Sequence, residues 1–448
     1  MEKPDYLVLG EQARLIPVVA DTSKEQRAAS ILMSALIGVH EFRHVMLGSL
    51  GLRVGKRATL DAWTEVSFKQ DPKSSDERKD RPDCLLILNT GKKRWRALLE
   101  AKIGNNEIGE QQLTAYIAKA KENGFDAVVS LTNQLVALPT HNPIKLTKSQ
   151  TKGLDVFHWS WMFAVTQAEL LLQGDGIKDA DQVYLLREVV RYFDHPSSGV
   201  HGFTSMNKHW KELVGAVGRT KLNKSSEEIE LTVSSWHQEQ RDLCLIMSRL
   251  LNERVELKIG RAHAKNPAKR LKDDSEKLAA EHKLEVILNV PNAAADLDVT
   301  ADLYGRSIFC GMRLTAPKDK KSASARINWL LRQLSDCETN NFWIKAIRAG
   351  RASDTDARLA DVIAEKSCLN ADDSVAVPTA FEVFYMLDLA GRFSGSRVFI
   401  EELEKAVPHF YEQVGQFLRA WVAAPPKVLP KDKDDATDRN DGVDSSEN

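Results

Sequence analysis

The sequence predicts an α/β chain: a mixed sheet flanked by helices in its N-terminal part, followed by an α+β part. Three observations carry this. Over the first 160 or so residues the apolar pattern changes from helical spacing to short apolar runs and back. Two of those runs are joined by Asn89-Thr90-Gly91, the chemistry of a hairpin turn. A polar stretch near residue 220 then separates them from a second series of helices and strands.

The elements follow in order. Leu32, Leu36, Val39, Phe42, Met46 and Leu47 recur at helical spacing, which predicts one helix over about 23–50. Residues 61–70 alternate as a strand, and the polar run 71–80 reads as a loop. Residues 82–88 and 94–104 form the two arms of an antiparallel hairpin. Residues 109–123 read as a helix, with Gly124 suited to close it. Residues 125–134 and 154–161 are two more strands. Helix, three strands, helix, strand, strand implies a mixed sheet with helices on its faces.

From Trp161 to Arg219 the pattern is helical and reads as an extension of the first domain, which spans 1–219 with a core at about 24–160. The second domain, 220–424, opens on a helix through Trp236 and continues with strands at 283–290 and 307–316. Segments 324–334 and 380–393 read as helices, and Trp329 and Trp343, at helical spacings, as core residues. Residues 425–448 are nearly devoid of apolar side chains and read as a disordered charged tail.

Composition narrows the class. A net charge of −1 excludes a chain coated in basic charge, but leaves room for a local basic cleft. Cys84, Cys244, Cys310, Cys337 and Cys368 are scattered, odd in number and form no Cys-x-x-Cys pair. A disulfide framework or cysteine zinc site is therefore not expected, and a reducing cytoplasm fits. The N-terminus lacks the pattern of a signal peptide, and no apolar run approaches a membrane span.

One motif raises a rival at once. His40-Glu41-Phe42-Arg43-His44 fits H-E-x-x-H, in which two histidines one helical turn apart hold Zn²⁺ and the glutamate is the general base. The extended form asks for glycine three residues later, where Leu47 stands, and the later third histidine is missing. Glu65 is the remaining candidate for a further ligand.

A second constellation is larger. Asp83 starts one hairpin strand, and Glu100 and Lys102 stand near the end of the other. Residues two apart on a strand share a face, so Glu100 and Lys102 project together and Asp83 lies beside them. Two carboxylates and an ammonium at one sheet edge suit Mg²⁺, which leaves its other positions to water and phosphate. Gln112 and Tyr116, four apart, share a face of the next helix and can support the site or touch phosphate. Glu-x-Lys also occurs at Glu256 and Glu281 and Pro-Asp at Pro4-Asp5, so the ordered context is what singles this set out.

Pro82-Asp83, Glu100-Ala101-Lys102 and Gln112-x-x-x-Tyr116, on strand, strand and helix, resemble the PD-(D/E)xK nuclease superfamily, in an uncharacterised bacterial branch. The resemblance covers about residues 24–160. It implies a restriction-endonuclease-like fold and metal-dependent hydrolysis of phosphodiester bonds, with DNA favoured over RNA as substrate. It assigns Asp83, Glu100 and the Ala101 carbonyl to Mg²⁺, for which Mn²⁺ can substitute, and Lys102 to the attacking water. A preceding helix usually adds a glutamate, and Glu41 stands on such a helix. Gln112 and Tyr116 become supporting residues. The resemblance further implies 5′-phosphate and 3′-hydroxyl products and a place in restriction or anti-phage defence. The second domain is left for specificity, sensing or self-association, or for a protein partner.

Two other readings stand beside it: a non-catalytic nucleic-acid-binding scaffold on the same fold, and the zinc protease. His158 reads as a packed or capping histidine, or as a neighbour of the site. The basic stretches 92–96 and 258–272 read as solvated segments or as contacts to a nucleic-acid backbone.

Overall fold

A computed structural model describes residues 3–17, 22–68, 81–174, 176–219, 222–370, 376–423 and 425. The loop expected at 71–80 lies outside these residues, as does the tail apart from Pro425. The chain is mixed α/β with two sheets.

The first sheet is built from β1 (Leu7–Gln12), β2 (Thr59–Phe68), β3 (Cys84–Asn89), β4 (Arg94–Ala101), β5 (Ala127–Thr132) and β6 (Asp155–Ser160). They lie side by side in sequence order. The first four pair antiparallel, and β4, β5 and β6 run parallel. β1 was not among the expected strands. It is an edge strand with only Leu7 buried, too polar to show as an apolar run. The helices are α1 (Lys24–Gly38), α2 (His40–Gly48), α3 (Glu110–Glu122), α4 (Trp161–Gln173) and α5 (Ala180–Asp194).

Alternation along the hairpin sorts the two faces. Cys84, Leu86, Leu88, Ala97 and Leu99 pack in a core with α1, α2, α4 and α5. Leu85, Ile87 and Leu98 pack in another with Leu113, Tyr116 and Ile117 of α3. β5 is buried along its whole length, as a strand covered on both faces must be. α3 ends as its sequence suggests, one residue later than the regular helix: Gly124 takes φ +62° after the cap residue Asn123, and Phe125 N–H reaches back to Ala120 O at 2.8 Å.

The single helix expected over 23–50 is two. Val39 is extended, at φ −110° and ψ 107°, and ends α1 before α2 begins.

The second part comprises α6 (Trp210–Ala216), α7 (Glu227–Leu251), β7 (Glu256–Leu257), α8 (Arg261–Lys265), α9 (Pro267–Glu281), β8 (Lys283–Asn289), β9 (Leu297–Asp302), β10 (Ser307–Thr315), α10 (Ala323–Leu331), β11 (Phe342–Ile347), β12 (Thr355–Arg358), α11 (Leu359–Ala364), β13 (Ala380–Asp388) and α12 (Ser396–Gln413). Its sheet is antiparallel throughout, in the order β12-β11-β13-β10-β9-β8-β7.

Two expectations are corrected here. Residues 380–388 form a strand, not a helix, paired residue by residue with β10 on one side and β11 on the other. Trp343 belongs to that sheet, half-buried and stacked on Phe384, not to a helix. The boundary at 219 also differs from the division between the cores. Met206, Trp210, Leu213 and Val214 pack into the second core, and the Trp210 indole N–H donates to Phe393 O at 3.0 Å. α7 touches both cores, since its Leu245 packs with the first.

Candidate active site

The hairpin register sets the site. Cys84 faces Leu99 across β3 and β4, so one step further Asp83 faces Glu100. Each carboxylate then accepts a backbone N–H of the opposite strand. Ala101 N–H donates to Asp83 Oδ2 at 2.7 Å, and Asp83 N–H to Glu100 Oε2 at 3.4 Å. Glu100 shares the α3 face with Leu98 and is 2 % exposed, so its charge depends on the few groups beside it.

Those groups are the expected ones. Lys102 Nζ lies 2.6 Å from Glu100 Oε1 and donates to Ala101 O at 3.3 Å. Gln112 Nε2 donates to the same Glu100 oxygen at 2.8 Å and to the Tyr116 hydroxyl at 3.1 Å. The Tyr116 hydroxyl donates in turn to Arg81 O at 3.2 Å. Gln112 and Tyr116 therefore hold Glu100 in place, and Asp83, Glu100, Ala101, Lys102, Gln112 and Tyr116 form one connected network.

Its electrostatics are one-sided. Burial pushes the Asp83 carboxyl well above the usual carboxylate range, and the Glu100 charge adds to this. Burial raises Glu100 too, against the pull of Lys102. For Lys102 burial acts downward, but Glu100 and Asp83 outweigh it, so the ammonium is held more firmly than in water. Two carboxyls with too little positive charge beside them, plus a backbone carbonyl, are the kind of donor set that accepts a divalent cation. Mg²⁺ needs only one or two carboxylates when water and phosphate complete its shell. Among the described residues no group of three or more His, Cys, Asp or Glu side chains is placed to hold a metal ion. Asp83 and Glu100 as a pair thus fit such an ion only in that water-rich form.

Glu41 is not brought to this site. The glutamate that reaches Lys102 is Glu25, in the first turn of α1. Its carboxylate lies 3.6 Å from Lys102 Nζ and accepts from Asn106 Nδ2 at 2.9 Å. α1 then runs on for 13 residues to Gly38, about 20 Å at helical rise, before Glu41 appears at the start of α2. Glu41 Oε2 is buried there without a hydrogen-bond partner. Of its two neighbouring histidines, His44 Nδ1 bonds Val54 O at 2.8 Å.

Two further residues sit at the edge of the network. Glu65 has φ +53° in β2, and its N–H bonds Asp83 O at 2.8 Å. Its carboxyl is raised chiefly by burial, with Arg81 opposing and Glu100 adding. Neither Glu65 nor Arg81 was expected in this role, since the positive φ that places Glu65 within β2 leaves no mark in the apolar pattern.

The remaining candidates lie elsewhere. His158 is buried, bonds Ser130 Oγ and Gln134 O at 2.8 Å each, and is pushed down to about 4 by burial. It is a packed, neutral histidine. In the basic segment 92–96, Arg96 donates to Gly124 O and covers the Phe125 ring, four residues along β4 from Glu100.

No known family, curated protein or solved structure matches the chain.

Proposed function

We propose that the chain is a metal-dependent nuclease of the PD-(D/E)xK kind, hydrolysing phosphodiester bonds in DNA. The observation that carries this reading is the Asp83–Glu100–Lys102 network, in which two carboxyls face each other across a hairpin with one ammonium bonded to Glu100 beside them.

Asp83, Glu100 and the Ala101 carbonyl would hold Mg²⁺ or Mn²⁺, which would polarise the phosphodiester and make bound water acidic. Gln112 and Tyr116 fix the Glu100 carboxylate, so little reorganisation is needed when substrate arrives. Lys102 stays protonated beside Glu100 and Glu25. It therefore orients water and offsets phosphoryl charge as a cation, and does not act as a base. Glu25 positions Lys102 from the α1 side. A role in DNA restriction or phage defence suits such an enzyme.

Cleavage of supercoiled plasmid in Mg²⁺ or Mn²⁺ tests this, beside EDTA, Lys102→Ala, Glu25→Gln and Glu41→Gln. Nicking or linearisation is expected from the parent protein, with loss in EDTA and a fall of at least about 100-fold in Lys102→Ala. Glu25→Gln is expected to slow cleavage about tenfold, and Glu41→Gln to leave it within about twofold. Cleavage that survives Lys102→Ala would place the active site elsewhere. No cleavage with either metal would favour a binding scaffold on the same fold.

A further inference from the structure

Beyond Lys102 the chain enters a loop that bonds the segment leading into the second domain. Gly104 N–H donates to Gly199 O at 2.8 Å, and Asn133 Nδ2 bridges Gly104 O and Gly199 O at 3.0 and 2.8 Å. Gly199 opens a strap that runs to Met206, whose N–H donates to Ser396 O at the start of α12, at 3.3 Å. Loop, strap and helix line an open cavity of about 470 Å³, bounded by Asn105, His201, Thr204, Ser205, Ser396 and Arg397.

We propose that this cavity holds a backbone phosphate of the nucleic-acid strand, a few nucleotides from the scissile bond, so that α12 of the second domain completes the substrate track. The inference rests on the nuclease reading of Asp83, Glu100 and Lys102. Four features support it. No lining residue is acidic, and the side chains offer a guanidinium, three hydroxyls, an amide and an imidazole. None of the Thr204, Ser205 and Ser396 hydroxyls, nor the Asn105 amide, bonds another described residue. The walls are tied to both domains by the backbone bonds above, so the cavity does not depend on a free surface loop. Asn105 lies three residues beyond Lys102, at most about 11 Å along the chain, while a strand presents a phosphate every 3.4 Å or so of helix axis.

The first turn of α12, an 18-residue helix, adds the partial positive charge of its free N–H groups. Arg397 is paired with Glu401 at 2.7 Å, but both are solvent-exposed. Such a pair contributes little and exchanges readily for a phosphate. Asp242 stands behind the strap, where it accepts the Phe203 N–H.

The test is binding of a fluorescein-labelled DNA duplex in EDTA, read by anisotropy across a salt series, with inorganic phosphate titrated separately by ³¹P line width. The variants are Arg397→Glu and Ser205→Asp, both at exposed positions where folding is not at stake. Each is expected to weaken DNA binding about tenfold, and Arg397→Glu to reduce the salt slope by about 1. Unchanged DNA affinity in both variants overturns the proposal. Loss of inorganic phosphate binding with DNA binding intact also overturns it, because the cavity then serves free phosphate. The two readings fail separately. A protein that binds DNA through this cavity but cuts nothing in Mg²⁺ loses the nuclease reading. One that cuts, and binds equally well with both variants, loses only the subsite.

Discussion

At the scale of single residues, Asp83 and Glu100 face each other with Lys102 as their nearest cation, and Glu25 competes for that cation. Burial first, and for Asp83 the Glu100 charge second, keep both carboxyls protonated to higher pH than free side chains. The higher these carboxyls hold their protons, the more a divalent cation competes with protons for them. Mn²⁺ is therefore expected to bind more tightly at pH 8 than at pH 6, and Asp83→Asn to weaken it at least about tenfold. Isothermal titration calorimetry at the two pH values measures both. An affinity flat across that range would mean the pair is already ionised without a metal. Much of this site was legible in the sequence, because strand parity joins Glu100 to Lys102 and hairpin pairing joins both to Asp83. Glu25, Glu65 and Arg81 were not. Glu25 depends on where α1 begins, Glu65 on a positive φ, and Arg81 on the Tyr116 bond to its carbonyl.

At the scale of elements, the misread segments share one cause. An apolar spacing that fits more than one element does not fix which element forms, or where it ends. In residues 380–388, Phe381, Phe384, Tyr385 and Leu387 fit helical spacing as well as they fit a strand. Length and partners decide, and β13 lies in mid-sheet between β10 and β11. Likewise the apolar stripe of 32–47 continues across Val39, although the backbone there is extended. Gly311 of β10 reports on the strand reading. It faces Phe384, and an added Cβ would lie 2.9 Å from Phe384 Cβ and 3.1 Å from Val383 O. Gly311→Ala is expected to destabilise by about 1–3 kcal/mol, as overpacking does. Urea unfolding measures it, and a change below about 0.5 kcal/mol would mean the two strands do not pair in this register.

At the scale of the whole molecule, α7 ties the two cores together, and the tie carries buried acid. Arg249 of α7 donates to Thr166 Oγ1 at 2.8 Å and lies 3.4 Å from Glu169, both on α4. On the same helix Glu239 is 0 % exposed and neither of its carboxylate oxygens has a hydrogen-bond partner. Asp242 of α7 and Glu404 of α12 face it as further acids. Arg249 and Arg241 of α7 and the His201 imidazole of the strap are the basic groups around Asp242. Burial drives Glu239 well above the usual carboxylate range, and drives Glu404 from 4.5 to about 7. A carboxyl with a raised folded pKa binds its proton more tightly in the folded state than in the unfolded one. Folding stability therefore falls as pH climbs from the unfolded value through the raised one, and the loss persists above it. These raised carboxyls favour the folded state at pH 5.5 over pH 8, whereas His141, His158 and His237, lowered by burial, favour it at pH 8, so the parent's melting temperature alone does not report on α7. Asp83 and Glu100 add to the first trend, so the variant Glu239→Met is needed to isolate α7. It removes the unpartnered carboxyl while keeping bulk. It is expected to stabilise the chain by about 1–3 kcal/mol at pH 8, and by less at pH 5.5, where the raised carboxyl is more fully protonated. Differential scanning calorimetry at both pH values decides. Parallel pH dependence in parent protein and variant would mean Glu239 does not titrate in this range. A converging pair of curves would show that a buried acid of α7, the helix that touches both cores, titrates between pH 5.5 and pH 8.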